Sequence, residues 1–306
     1  MRKKLLIACM TTVCILSFGC SQSEQMQTPK GELRDNTPVV LEPSADRELF
    51  FESETITLDA SHTSDGYIMV QYHGTNEKTK FQILAPNDVD YTYAISNIDS
   101  FHVFPLPGGT GTYQVRLLES VSADTNKYAI VFNQDLEVSI ADEFEPFLRT
   151  NHYVNFSSES ISVAKAKTLA SDCYSDLDVI NNVYHYVTQE IKYDTVKAQN
   201  LQSGYTPDPD ETLRTGTGIC FDYASLMSAM LRSQQIPTRL EVGYAGDVYH
   251  AWISCYVDEI GWVDNIISFD GEHWSLLDPT LAANNSSSDV QEFIGDGSNY
   301  LIKYTY

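Results

Sequence analysis

The chain has 306 residues, enough for two domains at roughly 100–200 residues each. With 42% hydrophobic and 20% charged residues it has the composition of a globular protein, not of a disordered one. Lys+Arg total 19 against Asp+Glu 42, a formal charge of −23; a field of that sign repels phosphates and argues against nonspecific nucleic-acid binding and a polybasic hold on anionic lipid.

Arg2, Lys3 and Lys4 precede the short apolar run Leu5 to Phe18, the pattern of a signal peptide over residues 1–19. The run is too short for a comfortable membrane span. Leu16-Ser17-Phe18-Gly19-Cys20, followed by polar residues, resembles a bacterial lipobox, although Ser17 stands where that motif usually has Leu. The resemblance implies lipidation of Cys20 and a position on the outer side of a bacterial cell membrane, held by acyl chains without a transmembrane helix. The alternatives are plain secretion and an uncleaved anchor. With Cys9 and Cys14 in the signal, Cys173, Cys220 and Cys255 remain, so at least one thiol is unpaired. A Cys173–Cys255 disulfide is one arrangement and would leave Cys220 free.

Residues 20–48 are polar, carry Pro29, Pro38 and Pro43 and show no periodicity, as expected of a lipidated N-terminus and flexible tether. Over 49–150 short runs rich in β-formers alternate with Gly, Asn, Asp and Ser. They are Thr55 to Leu58, Tyr67 to Tyr72, Phe81 to Leu84, Tyr91 to Ile95, Tyr113 to Leu117, Tyr128 to Phe132 and Leu136 to Ile140. This spacing predicts an Ig-like β-sandwich. Pro105 to Thr112 lacks the Lys and following helix of a phosphate loop, and His62, His73 and His102 are scattered over different runs, so the sandwich carries no evident chemistry.

Near residue 160 the period changes, opening a second domain over 151–306. Ser175 with Asp178 three residues on marks a helix start, and Leu177, Ile180, Tyr184, Val187 and Ile191 share one face of the helix that follows. The acidic stretch Asp208 to Glu211 lacks the spacing of a calcium loop, and neither a metal nor a cofactor is expected. Tyr223, Leu226, Met227, Met230 and Leu231 predict a second helix that begins at or just before Cys220 and ends before Pro237. A cysteine in a first helical turn meets unpaired N–H groups and the positive end of the dipole. Both favour thiolate and can stabilise an oxyanion.

After Pro237 the period becomes two. In Tyr249 to Val257, His250, Trp252 and Ser254 share one face, and Ala251, Ile253, Cys255 and Val257 the other. Trp274 to Asp278 reads as a third strand that stops at Pro279. Cys220, His250 and Asp278 thus follow one another at intervals of about thirty residues, on a helix start and two strands of an α+β layer. That order suits a Cys-His-Asp triad in which the imidazole takes the thiol proton and the carboxylate orients the ring.

Gly218-Ile219-Cys220-Phe221-Asp222-Tyr223-Ala224, His250-Ala251-Trp252 and Trp274-Ser275-Leu276-Leu277-Asp278-Pro279-Thr280 resemble the three core motifs of the transglutaminase-like superfamily, in order. The resemblance covers about residues 160 to 306. It implies a papain-like α+β fold, helices on an antiparallel sheet, with Cys220 as nucleophile, His250 as general base and acid and Asp278 as orienter. Trp252 and Trp274 are candidates for substrate contact. The chemistry implied is amide acyl transfer through a thioester, ending in hydrolysis (protease, peptidase or deamidase) or in cross-linking of peptides or proteins, cell-envelope material among them. The alternative is a catalytically silent surface lipoprotein that acts as a binding or adhesion module.

Overall fold

The computed structural model describes residues 31–96, 100–122, 126–245, 247–258, 260–264, 267–269, 274–276 and 300–306. The signal region, Cys20 and Asp278 lie outside them, as do the side chains of 267–269 and 274–276.

Eight strands open the fold: β1 Phe50–Glu52, β2 Ile56–Asp59, β3 Tyr67–Tyr72, β4 Thr79–Leu84, β5 Asp90–Ile95, β6 His102–Pro105, β7 Gly111–Ser120 and β8 Tyr128–Val138. They make two antiparallel sheets, in the orders β1-β2-β3-β6 and β5-β4-β7-β8. The alternation of buried and exposed residues in β4 and β5 directs Phe81, Ile83, Tyr91 and Tyr93 inward. There Phe81 and Tyr93 meet Phe104 at ring-centroid distances of 4.8 and 4.5 Å. The two sequence runs at 128–132 and 136–140 are a single long strand, β8, whose pairing with β7 shifts register at Leu117/Leu118; such an irregularity lets one strand continue where its alternation breaks. β1 and β6 are too short to show a period of their own.

The second half runs α1 Ile161–Leu169, α2 Asp176–Glu190, β9 Lys192–Tyr193, α3 Thr195–Gln199, α4 Pro209–Thr215, β10 Thr217–Gly218, α5 Cys220–Ser233, β11 Thr238–Ala245, β12 Val248–Val257, β13 Gly261–Val263, β14 Ile267–Phe269, β15 Trp274–Leu276 and β16 Tyr300–Thr305. Ser175 and Asp178 close a capping box at the start of α2, as the sequence predicts. α5 is buried from Asp222 to Ser233, with α1, α2 and α4 and the sheet β13-β12-β11-β16 packed around it. Ala251, Ile253, Cys255 and Val257 are all buried, and Ala251 and Ile253 meet Tyr223, Ala224 and Met227 of α5. β16 joins the sheet where its pairing with β11 shifts register between Val242 and Gly243; a Cβ on Gly243 would stand 2.0 Å from the Leu301 carbonyl oxygen. β15 pairs with β14 in a two-stranded ribbon.

Leu33–Tyr306 form one compact unit. The two halves meet through Tyr93, which lies 5.4 Å from Tyr153 and 5.9 Å from Tyr306. The expectation of a free tether up to residue 48 does not hold from Arg34 onward. The Arg34 guanidinium pairs with Asp176 at 2.6 Å, the Val39 amide donates to the Ser233 carbonyl at 2.9 Å, and Leu41 bridges to Arg149. A segment without periodicity of its own is ordered by backbone groups that find partners on the body. Cys173 and Cys255 are separate buried thiols, not a disulfide: the first accepts from the Asn182 side chain at 3.2 Å, and the second faces the Thr238 hydroxyl at 3.7 Å. Among the described residues no helix is long and apolar enough to cross a membrane, and no cluster of three or more His, Cys, Asp or Glu is arranged to hold a metal ion.

Candidate active site

Cys220 is the first residue of α5, and the chain reaches it through a short parallel pairing of β9 with β10 that sets Tyr193 opposite Gly218. Gly218 permits a close approach, since a Cβ there would stand 2.8 Å from Cβ of Asp222. Asp222, in the first turn, accepts from the Ile219 amide at 2.8 Å and so fixes the helix start. Backbone amides of Ala251 and Phe221 donate toward the sulfur. One of these donors belongs to the first turn of α5, and Ala251 adds the other from β12. β13 pairs only with Cys255–Val257 of β12, which leaves Ala251 beyond its reach.

The ionisation of the sulfur differs from the sequence reading. Burial pushes the Cys220 thiol up, the neighbouring Asp222 carboxylate adds to that rise, and the amides offset only part of it. A sulfur so placed favours proton transfer to a base on attack over reaction as a standing thiolate.

His250, on β12 next to Ala251, is 4% exposed. Burial pulls its pKa down to about 4, so at neutral pH the imidazole is uncharged and able to accept a proton. Its ring stacks on Trp252 with centroids 6.3 Å apart. The structure thus brings Cys220 to the strand that carries His250, one residue from it. Asp278 lies outside the described residues, and of Trp274 only the backbone of β15 is described.

Trp252, expected to touch substrate, is 1% exposed, and its indole N–H donates at 2.7 Å to the buried Glu241 carboxylate, which also accepts from Ser254 at 2.8 Å. It is a wall of the site and not a surface for substrate, because a buried indole N–H and a buried carboxylate each need the partner the other provides. The enclosed space at the sulfur, about 10 Å³ between Cys220, Met227, Ala251 and Ile253, is about the size that holds one water. A wider cleft of about 1020 Å³, with Asn151, His152 and Phe101 in its lining, contains none of the predicted triad.

Four polar groups near Cys220 are not evident from the sequence pattern as its neighbours. The fully buried Asp222 carboxylate pairs with the Lys197 ammonium at 2.6 Å and also accepts from the Tyr205 hydroxyl, and the Cys220 amide donates toward the Tyr193 hydroxyl. The position of Asp222, three residues after the cap, was the only signal in the sequence. Lys197 and Tyr205 come from a short helix and a loop whose pattern says nothing of where they point.

The buried imidazoles give the fold an acid limit. Burial holds His250 near 4, and burial followed by the charge of His102 holds His152 near 3, whereas both return to about 6.5 on unfolding. Between pH 6.5 and about 4 the unfolded chain binds protons that the native one does not. The stability these groups contribute is complete above pH 6.5 and lost as pH falls, by up to about 1.4 kcal/mol per pH unit for each ring. Urea unfolding at pH 7 and pH 5 checks this, and His152→Phe is expected to flatten the pH dependence.

Residues 163–265 match the model of the transglutaminase-like superfamily, a range that holds Cys220 and His250 and stops before Asp278. UPF0252 protein MJ1282 of Methanocaldococcus jannaschii is 27% identical over 188 residues, 58% of this chain and 49% of that protein, so the chain spans about half the length of this curated relative. Among solved structures, a protein described as a candidate cysteine protease from Cytophaga hutchinsonii is similar at 17% identity, over 70% of this chain and 77% of that one, with a TM-score of 0.36. Red sea bream transglutaminase is similar at 13% identity, over 71% of this chain and 49% of that one, with a TM-score of 0.27.

Proposed function

From the premise that residues 163–265 are a transglutaminase-like domain, we propose that this protein is a cysteine-dependent acyl-transfer enzyme acting on peptide or protein amides. The observation that carries the reading is the seat of Cys220: a helix-terminal sulfur met by the Ala251 amide, on the strand whose preceding residue is His250. In the proposed reaction the neutral His250 imidazole takes the thiol proton as sulfur attacks the amide carbonyl. The same imidazolium then protonates the departing amine or ammonia, leaving a thioester. Among the described residues, the amides of Phe221 and Ala251 are the donors assigned to developing negative charge. Asp278 is assigned the role of orienting the His250 ring and stabilising its cationic form.

Water as acceptor gives hydrolysis and a lysine amine gives an isopeptide bond; the thioester is common to both. The N-terminal signal and Cys20 lipidation place the enzyme at the outer face of a bacterial membrane in this reading. Envelope peptides and surface-protein amides are then the substrates it meets first, and the two N-terminal sheets are read as an Ig-like recognition module.

The test is mass spectrometry of envelope peptides incubated with wild type and with Cys220→Ala. A gain of about one mass unit indicates deamidation, cleavage indicates proteolysis, and joined peptides indicate cross-linking. Any of the three, absent in Cys220→Ala, supports the proposal; identical peptide spectra with both proteins contradict it.

A further inference from the structure

The nucleophile has an ionic neighbour for which acyl transfer by itself has no need. Asp222 sits two residues after Cys220 with no exposed side-chain surface, and its carboxylate is shared among three donors: the Ile219 amide at 2.8 Å, the Lys197 ammonium at 2.6 Å and the Tyr205 hydroxyl. A carboxylate so close to a thiol opposes its ionisation. As a helix cap it would serve equally well as a neutral amide, so the lysine opposite needs a separate explanation.

Resting on the acyl-transfer reading above, we propose that Lys197 is a positioning residue for Cys220: its ammonium neutralises the buried Asp222 carboxylate and, with Tyr205, locks the first turn of α5, so that the sulfur can lose its proton to the base. The local chain favours this arrangement. β9 pairs with β10, the Asp194 amide donates to the Gly218 carbonyl at 2.9 Å, and Asp194 caps α3 through the Lys197 amide at 2.8 Å. Lys197 is thereby fixed beside the turn that leads into Cys220, and its ammonium also lies 4.5 Å over the Tyr205 ring.

Among the described residues, the other titratable groups near this turn are Tyr193 from β9, Tyr223 from α5 itself, Asp208 from the start of α4, and Tyr249 of β12, with His250 next to it in the strand. Among these, the tyrosines are neutral at neutral pH, burial keeps His250 neutral there as well, and Asp208 adds a second negative charge. Lys197 is thus the cation facing the Asp222 carboxylate among the described residues, and its removal exposes the sulfur to the full effect of that charge.

The test reads the pH midpoint of Cys220 alkylation by iodoacetamide, followed by intact-protein mass, on the full chain. Lys197→Met is expected to raise the midpoint by about one pH unit, which is about tenfold slower alkylation at any pH below it. Lys197→Arg keeps the charge and is expected to stay near wild type. Asp222→Asn with Lys197→Met removes both charges and is expected to bring the midpoint back. A merely structural role predicts the opposite, a double variant at least as displaced as the single one. Should Lys197→Met fail to fold, Asp222→Asn alone, which keeps an acceptor for the Ile219 amide, is expected to lower the midpoint. An unchanged midpoint in Lys197→Met, or in Asp222→Asn where that variant is the one that folds, overturns the proposal, as does a double variant that does not recover. Failure of the acyl-transfer reading looks different: Cys220 then takes up no acyl group whatever stands at position 197.

Discussion

Replacing Cys220 by Ala is expected to bring amide turnover to the uncatalysed background, a fall of about 10⁴-fold or more, with the fold intact. No neighbouring side chain can take over the role assigned to the sulfur. In the proposed reaction the sulfur forms the covalent intermediate, and loss of a nucleophile of this kind costs about as much as loss of the whole catalytic unit. Cys220 occupies an exposed-to-buried boundary at the first turn of α5, where alanine is well tolerated in a helix, so stability should change little. His250→Ala is expected to cost about 10²–10⁴-fold, the usual contribution of a positioned base. A Cys220→Ala protein that retains turnover would place the chemistry elsewhere.

Arg232→Leu carries the largest expected loss of stability, about 3–5 kcal/mol. The guanidinium is 1% exposed near the end of α5. It donates to the Thr238 carbonyl from Nε at 3.0 Å and from Nη2 at 2.8 Å, to the Arg149 carbonyl at 2.7 Å and to the Tyr306 carbonyl at 2.7 Å. Its bonded partners are backbone carbonyls, so one side chain ties together the start of β11, the junction at 149 and the last residue of the chain. Burial pulls its pKa down to about 9, a measure of what its desolvation costs. Leucine would remove all four of these hydrogen bonds; the Tyr306 oxygen would keep the Leu240 amide as a donor at 2.9 Å, and the Thr238 and Arg149 carbonyls would lose their guanidinium partner. Lysine is expected to recover only part of the loss, because a single ammonium cannot span the same fork. Urea unfolding at pH 7 measures both variants, and a loss below about 1 kcal/mol for Arg232→Leu would contradict the assigned role.

The contrast between these two residues shows where sequence is informative. Cys220 was legible because its surroundings are local: glycines just before it, a helical apolar pattern just after, and a strand with a clean period of two around His250. The capping of α2 by Ser175 and the directions of Ala251, Ile253 and Cys255 followed from the same short-range rules. Arg232 was illegible because its partners are backbone carbonyls contributed by distant segments, which leave no residue pattern. The Lys197–Asp222 pair was hidden for a related reason, since the cap position of Asp222 is visible and its ammonium partner is not. The packed course of 34–48 was missed because backbone hydrogen bonds to Cys173 and Ser233 need no periodicity. The two runs merged in β8 show the limit of the period-two rule itself, which is broken by one register shift. The burial that opposes ionisation of the sulfur is a property of the folded whole, whereas the helix terminus is visible locally.

In the proposed reaction His250 delivers the proton chemistry of Cys220. Exposure of the protein to p-nitrophenyl acetate, with peptide mapping of the acetyl group over time at neutral pH, reads that step without a natural substrate. The prediction is a single acetyl thioester on Cys220 in the wild type and about 10²-fold or slower acetylation of the same residue in His250→Ala. Acetylation of Cys220 at equal rates in the two proteins, or on other residues alone, would contradict it.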